Sequence, residues 1–253
     1  MKNDRKTNGL SNKVLTVFFY IITGIVLPLH FLLTFIYIII ILPFCYLRLG
    51  AVARALNRAY TILLFLMIGK VVHVTGKENI DPTKNYLLVA NHASYYDAPA
   101  IVTFLPMAVW LGKERFLKIP VFATLLRATN FIPIYPGDSE RSKNSINSSI
   151  AKLKNYNIVI FPEGTRTPDG KIYSFKKGFV HIFRGTELDI LPVTLNGFYD
   201  LMPRKHMIVN PFVRLEAIVH KPIERSTVID TPIDEVVSMV QEIIESKYAG
   251  SRG

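Results

Sequence analysis

The sequence predicts an α/β domain with a mixed, mainly parallel sheet flanked by helices, preceded by an N-terminal hydrophobic helical membrane anchor. Three observations carry that reading. From Val14 to Tyr46 the chain has no Asp, Glu, Lys or Arg across 33 residues. After Gly69, short β-branched runs alternate with helical ones. Near the C-terminus an apolar stripe at helical spacing follows a capping sequence. At 253 residues there is chain enough for one large domain, or one domain plus an appendage.

The charge-free run is longer than the apolar region of a signal peptide, about 7–15 residues, and lacks a small-residue cleavage site, so it reads as a permanent anchor. As one straight helix it would be roughly 50 Å long against a hydrocarbon core of about 30 Å, so it has to tilt, bend or break. Pro28 with His30 marks the expected break, leaving arms 14–27 and 29–47, of which the first is too short to span comfortably. Lys2, Arg5, Lys6 and Lys13 precede the run, and Arg48, Arg54 and Arg58 follow it, a bias that draws both flanks to the cytoplasm. Both flanks on one side imply a monotopic, re-entrant hairpin at the cytoplasmic face of the inner (plasma) membrane. The alternative is a single tilted span followed by a buried core helix. Residues 51–69, with Arg54 and Arg58 ahead of an apolar stretch, suit a second helix lying along the interface. The expected boundaries are 1–68 for the anchoring hairpin and interfacial helix, and 69–253 for the α/β domain.

Thirty Lys and Arg against nineteen Asp and Glu give a formal charge of +11, which suits either nucleic acid or anionic lipid. The anchor favours membrane lipids. No basic helix with interleaved aromatics and no zinc-finger spacing is present, so no nucleic-acid partner is expected. Cys45 is the sole cysteine, which excludes an intrachain disulfide and a cysteine-based zinc site.

Strands are expected at 70–74 (KVVHV), 86–90 (YLLVA), 107–112 (MAVWLG), 130–135 (NFIPIY), 157–161 (NIVIF), 189–195 (DILPVTL) and 213–219 (VRLEAIV). Helices are expected near 97–105, 114–128, 140–155 and 175–185. In the C-terminal helix Thr231 is placed to cap and Pro232 to open the first turn. Ile233, Val236, Val237, Val240, Ile244 and Tyr248 then form the stripe. The polar stretch 139–149 is a mobile loop or an exposed helix start, and KYAGSRG at the terminus should fray.

Two motifs carry chemistry. In NHASYYDAP, the strand YLLVA delivers Asn91 and His92 to its carboxyl end, where open α/β sheets place ligands. Asp97 begins the next helix, close enough to curl its carboxylate back to the imidazole, fix the tautomer and raise the basicity of the other nitrogen. Spacing alone equally allows a capped helix beside a surface histidine. In NIVIFPEGTRTPDG a second strand runs into Glu163, Gly164, Thr165 and Arg166, with Lys176 and Lys177 shortly after. Gly164 permits close backbone approach, and Arg166 offers a planar fork suited to phosphate. Taken alone, Glu-Gly-Thr-Arg reads more readily as an ordinary turn with a salt bridge.

Together the motifs resemble the glycerolipid acyltransferase family over roughly Gly69 to Leu195. Four blocks occur in order: NHASYYD (91–97), LGKERFLKIPVFATLLRATNFIPIY (111–135), FPEGTRT (161–167) and ILPVTL (190–195). The resemblance implies transfer of a fatty acyl group from an acyl thioester, acyl-CoA or acyl carrier protein, to the sn-2 hydroxyl of 1-acyl-glycerol-3-phosphate. The product would be phosphatidate, in phospholipid biosynthesis. It implies no cofactor beyond the thioester co-substrate. His92 would be the general base and Asp97 its orienting group. Glu163, Gly164, Thr165, Arg166, Lys113 and Lys177 would form the phosphate and glycerol site, while Pro192 lies in a more structural or acyl-related block. One departure concerns the head group: family members commonly end the second block with a phosphate-binding arginine, whereas FIPIYPGDSER offers none before Arg141. Either Arg141 loops back, or Lys113, Arg166 and Lys177 suffice.

A thioester is already activated, so direct transfer needs a base, a positioned acceptor and a donor for the oxyanion, with no enzyme nucleophile. Other lysolipid acceptors, such as a lyso-ornithine lipid, remain compatible. A lipid hydrolase is the enzymatic rival, echoed faintly by Gly137-Asp138-Ser139 but lacking GxSxG. A non-catalytic module binding anionic lipid would account for charge and anchor, but not for His92 with Asp97.

Overall fold

The computed structural model describes residues 4–106, 108–150 and 156–251, with side chains from residue 14 onwards except that of residue 150. Lys2, Met107 of the third expected strand, residues 151–155 of an expected helix, and the side chains of Arg5, Lys6 and Lys13 lie outside this description.

All seven expected strands are present: β1 (Val72–Thr75), β2 (Tyr86–Ala90), β3 (Ala108–Lys113), β4 (Ile132–Ile134), β5 (Asn157–Ile160), β6 (Asp189–Asn196) and β7 (Leu215–Val219). They form one sheet in the order β1-β7-β6-β2-β5-β3-β4. Every pairing is parallel except that of β6 with β7. Following β2 come the helices α3 (Asp97–Phe104), α4 (Phe122–Ala128), α5 (Ser139–Ile150), α6 (Gly178–Gly185) and α7 (Phe198–Leu201). After β7 come α8 (Arg225–Val228) and α9 (Ile233–Glu245). The expected helix at 114–128 is divided into a 3₁₀ turn at Glu114–Lys118 and α4, separated at Pro120.

β2 is buried at every position because both faces of the sheet are covered. Its side chains alternate between two cores, as the two-residue period of a strand requires. Tyr86, Leu88 and Ala90 join Ile101 and Phe104 on one side, while Leu87 and Val89 join Phe179, Phe183, Val236 and Val240 on the other. Truncating Leu87 or Leu88, both fully buried, to alanine should cost about 2–5 kcal/mol.

The anchor departs from expectation in one respect. Helix α1 runs unbroken from Asp4 to Tyr46, with Pro28 and Pro43 inside it, so the predicted break at Pro28 does not occur. A proline forfeits one helical hydrogen bond, and here the turns on both sides are fixed against the rest of the protein. Val26 enters the sheet core and His30 is buried. Reversal comes at 47–49, where Leu49 N–H bonds Phe44 O and Arg48 takes a left-handed φ of 56°. Helix α2 (Gly50–Leu66) then returns antiparallel along α1. Tyr37 pairs with Asn57 at 2.8 Å, Thr34 with Tyr60 at 2.8 Å and His30 with Leu64 O at 3.0 Å. Residues 14–46 thus form one helix and not the expected two-armed hairpin; the hairpin present pairs α1 with α2, the segment expected along the interface, and turns some twenty residues after Pro28.

The far end differs too. The C-terminal helix starts at Ile233 with Pro232 in the cap position and no side-chain cap bond, so Thr231 does not serve as the cap. The terminus is pinned rather than frayed. Tyr248 hydroxyl donates to Gly170 O at 2.6 Å, Ala249 N–H to Asn196 Oδ1 at 2.9 Å, and Ser251 Oγ to Asp200 Oδ1 at 2.5 Å.

Candidate active site

The strand order places β5 between β2 and β3, all parallel, so the carboxyl ends that carry His92, Glu163 and Lys113 adjoin one another. Asn91 ties the end of β2 to β6: its amide nitrogen donates to Leu195 O at 3.0 Å and its amide oxygen accepts from Leu195 N–H at 2.8 Å. The chain then leaves the sheet and turns through 92–96 into α3.

At that turn Asp97 Oδ2 lies 2.7 Å from His92 Nδ1, and it also accepts the N–H groups of Ala93 at 2.6 Å and Ser94 at 2.8 Å. Three bonds to one oxygen hold the carboxylate still. A carboxylate at Nδ1 makes that nitrogen the donor and leaves Nε2 as the basic position. The imidazole is stacked on Phe161, with ring centroids 4.1 Å apart and planes 13° apart, and its side chain remains 22% exposed. Asp97 is fully buried. The ring is thus fixed on one edge and one face while retaining access from outside.

Glu163, expected in the phosphate and glycerol site, is hydrogen-bonded to main-chain groups of the motif loops. Its Oε1 accepts the His92 main-chain N–H at 2.7 Å and its Oε2 accepts Tyr173 N–H at 3.1 Å. Both oxygens thus have main-chain donors as partners. Burial pushes its carboxyl up from 4.5 to about 7; the bonds from His92 and Tyr173 oppose the rise and Asp97 adds to it. Thr167 N–H completes the clamp by donating to His92 O at 2.9 Å.

Gly164 has φ 70°, a left-handed conformation that favours glycine, and a Cβ there would displace the end of the Lys176 side chain, 2.8 Å away at Nζ. Thr165 is exposed on the same loop. The Arg166 guanidinium lies 3.5 Å over the Tyr95 ring, and its buried Nη1 has no acceptor among the described residues. That orphaned donor suits an anionic ligand oxygen. Lys113, half-buried at the end of β3, has its ammonium pKa lowered by burial and then by Arg115, Lys176 and Arg204. Those cations therefore lie close enough to repel one another, and a multiply charged anion would relieve the repulsion.

Two expected members are placed elsewhere. Lys177 Nζ forms an ion pair with Asp234 Oδ1 at 2.6 Å, so Lys176, its neighbour, is the lysine that faces the loop. Arg141 stacks 3.9 Å over Tyr135, beyond the edge strand β4, and does not supply the missing arginine in this conformation. Arg204 was not anticipated. It reaches the cluster from the segment after α7, its Nη1 donating to Arg166 O at 2.9 Å. A lone arginine in PRKH carries no spacing signal, and only the sheet order brings it near β5. Pro192 lies within β6, in register with Val89 of β2.

A protein-family model described as Acyltransferase matches residues 71–196, a span that contains both motif loops. The 1-acyl-sn-glycerol-3-phosphate acyltransferase of Limnanthes alba is 26% identical over 208 residues, 81% of this chain and 73% of that protein. The protein of the same name from Borreliella burgdorferi is 29% identical over 202 residues, 75% of this chain and 76% of its own. The crystal structure of the 1-acyl-sn-glycerophosphate (LPA) acyltransferase PlsC from Thermotoga maritima superposes with a TM-score of 0.71 at 29% identity, covering 94% of this chain and 95% of that one. With the His92–Asp97 pair and the Glu163–Arg166 loop meeting at adjacent strand ends of the same fold, the chain belongs to the acyltransferase family.

Proposed function

We propose that this protein is a 1-acylglycerol-3-phosphate O-acyltransferase, moving a fatty acyl group from an acyl thioester to the sn-2 hydroxyl of 1-acyl-glycerol-3-phosphate. The 2.7 Å contact between His92 Nδ1 and Asp97 Oδ2, beside a cationic cluster, carries the reading. His92 Nε2 accepts the hydroxyl proton as the oxygen attacks the thioester carbonyl. Collapse of the tetrahedral intermediate breaks the C–S bond, and the imidazolium returns the proton to the departing thiolate. The products are phosphatidate and the free thiol of coenzyme A or acyl carrier protein. Asp97 keeps the productive tautomer and stabilises the transient imidazolium.

Arg166, Lys113, Lys176 and Arg204 receive the acceptor phosphate, a monoester that carries up to two negative charges. This favours lysophosphatidate over a lyso-ornithine lipid or a larger-headed lysolipid.

The membrane reading rests on how α1 is seated. Over about 30 Å of helix at 1.5 Å per residue, one face of α1 contacts the folded domain and α2. The contacts include Phe19 with Phe212, Thr23 with Val209, His30 with Tyr96, and Ile41 in the cluster that takes in Phe122 and Leu125. A helix flanked lengthwise by a water-soluble domain has no clear path across a bilayer. Its other face, including Ile21, Ile25, Phe31, Phe35 and Ile39, is exposed and apolar. That arrangement supports monotopic insertion into one leaflet, with the basic flanks favouring the cytoplasmic side.

The test is to supply the detergent-solubilised protein with lysophosphatidate and several other lysolipids, with acyl-CoA and acyl carrier protein donors, and to identify products by mass. Phosphatidate is expected. Release of free fatty acid without acylated lipid would make the protein a hydrolase, and lipid binding without turnover would make it a docking module.

A further inference from the structure

A histidine within an apolar helix that carries no Asp, Glu, Lys or Arg from Val14 to Tyr46 needs a reason, because ionisable groups in such segments face protein and mark function more often than packing. His30 is 8% exposed and touches two other elements. Its Nε2 lies 3.0 Å from Leu64 O in α2, and its Nδ1 lies 2.8 Å from the Tyr96 hydroxyl. A carbonyl can only accept, so Nε2 carries the proton and Nδ1 accepts from Tyr96. The partners thus fix one neutral tautomer.

Tyr96 is the residue immediately before Asp97, in the cap position of α3. It is 4% exposed, with its ring tilted on Phe65 of α2 and edge-on to His30, both at 5.7 Å between centroids. Burial raises its phenol pKa, so the hydroxyl remains a donor across the working range of pH. Consecutive Cα atoms are about 3.8 Å apart, so with the Tyr96 ring held between His30 and Phe65, any displacement of its main chain passes directly to the backbone that aims the Asp97 carboxylate. A hydrogen-bonded line therefore runs from α2 through α1 to the loop that holds the general base.

We propose that His30 is a positioning residue for acyl transfer: by holding the Tyr96 hydroxyl it couples the seating of the apolar helices α1 and α2 to the orientation of Asp97, and so of the His92 imidazole. The proposal rests on the reading of His92 and Asp97 as the catalytic pair. It gives the anchor a second task besides attachment, since the membrane that holds α1 in place also keeps the base aimed. The titratable groups around this junction are Asp97 on His92 Nδ1, Glu163 on the His92 main chain, Arg166 over Tyr95, and Tyr60 of α2, which acts on Tyr96 electrostatically.

The test uses the full chain in mixed micelles with lysophosphatidate and an acyl thioester. Tyr96→Phe deletes one oxygen, His30→Leu removes both ring contacts, and His30→Asn places an amide oxygen near the position of Nδ1. Tyr96→Phe and His30→Leu should each lower kcat about tenfold while acceptor KM changes less than about twofold, as expected for a small misplacement of a catalytic group. His30→Asn should recover most of kcat. Tyr96→Phe serves as the milder variant if His30→Leu folds poorly, with thermal melting checked alongside. Normal kcat in Tyr96→Phe, a KM that rises as much as kcat falls, or no recovery in His30→Asn would overturn the coupling and leave His30 a packing residue. A wild-type protein without transfer would overturn the catalytic reading itself, and this proposal with it.

Discussion

The main-chain N–H of His92 donates to Oε1 of Glu163 at 2.7 Å, and Glu163 is only 5% exposed. The loop after β5 thereby grips the backbone of His92, two residues beyond β2, from one side through a carboxylate and from the other through Thr167 N–H. The two motifs are a single mechanical unit. A disturbance in the Glu163 loop reaches the base before it reaches any ligand.

That burial makes stability depend on pH. The Glu163 carboxyl is raised from 4.5 to about 7, so the folded protein holds this proton more tightly than the unfolded chain does. Its contribution is complete below about 4.5 and is lost as pH rises through about 7, with a magnitude on the order of 3 kcal/mol. In Glu163→Gln the group no longer titrates. The Tm of wild type minus that of this variant should therefore be more positive below 4.5 than above 7. A difference constant with pH would mean that the two amide donors keep the carboxylate ionised throughout.

His92→Ala should lower kcat by about 10²–10⁴ and leave the Tm nearly unchanged, because the side chain is partly exposed and its main-chain bonds survive. Asp97→Asn should lower kcat as well. An amide retains the shape but can present its NH₂ to Nδ1, which favours the wrong tautomer. Steady-state turnover with lysophosphatidate decides both; a folded His92→Ala protein at normal turnover would remove the general base from the mechanism.

The pinned C-terminus predicts an effect of truncation that sequence alone argued against. Ending the chain at Lys247 deletes the bonds from Tyr248 to Gly170 and from Ala249 to Asn196, each worth about 0.5–1.5 kcal/mol. A lower Tm is expected, and also a lower kcat, since Gly170 lies three residues after Thr167, whose N–H holds the His92 carbonyl. Unchanged melting would show that these contacts contribute nothing in solution.

What could be read from the chain, and what could not, follows the range of each interaction. The strands were legible because runs such as YLLVA and NIVIF are short, β-branched and bounded by turn residues. The His92–Asp97 contact was legible because a five-residue interval is local. Glu163 was placed with the ligand because its partner, the His92 amide, is 71 positions away. Lys177 was chosen over Lys176 although adjacent lysines in FKKG differ only in which way the helix start turns them. Pro28 was read as a break because a local rule cannot register that Val26 and His30 are held by remote residues on either side of it.

Arg166 stands over Tyr95 with its Nη1 unpaired, Lys176 approaches Gly164, and Arg204 braces the Arg166 carbonyl. Arg166→Ala should raise KM for lysophosphatidate more than for larger-headed phosphodiester lysolipids, because the monoester carries more charge for the fork to hold. Arg166→Lys should restore part of the affinity, keeping the charge while losing the fork and its stacking on Tyr95. Lys176→Ala and Arg204→Ala should raise the same KM by smaller factors, and added salt should narrow the gap between wild type and each variant. Lys177→Ala should leave KM unchanged and lower stability by at most about 1 kcal/mol, the usual worth of an exposed ion pair such as Lys177–Asp234. Acceptor titrations across this set separate the assignments. Equal loss of kcat/KM for every acceptor in Arg166→Ala would move that residue to the scaffold or the acyl donor, and Lys113 with Arg204 would then be the cations that read the head group.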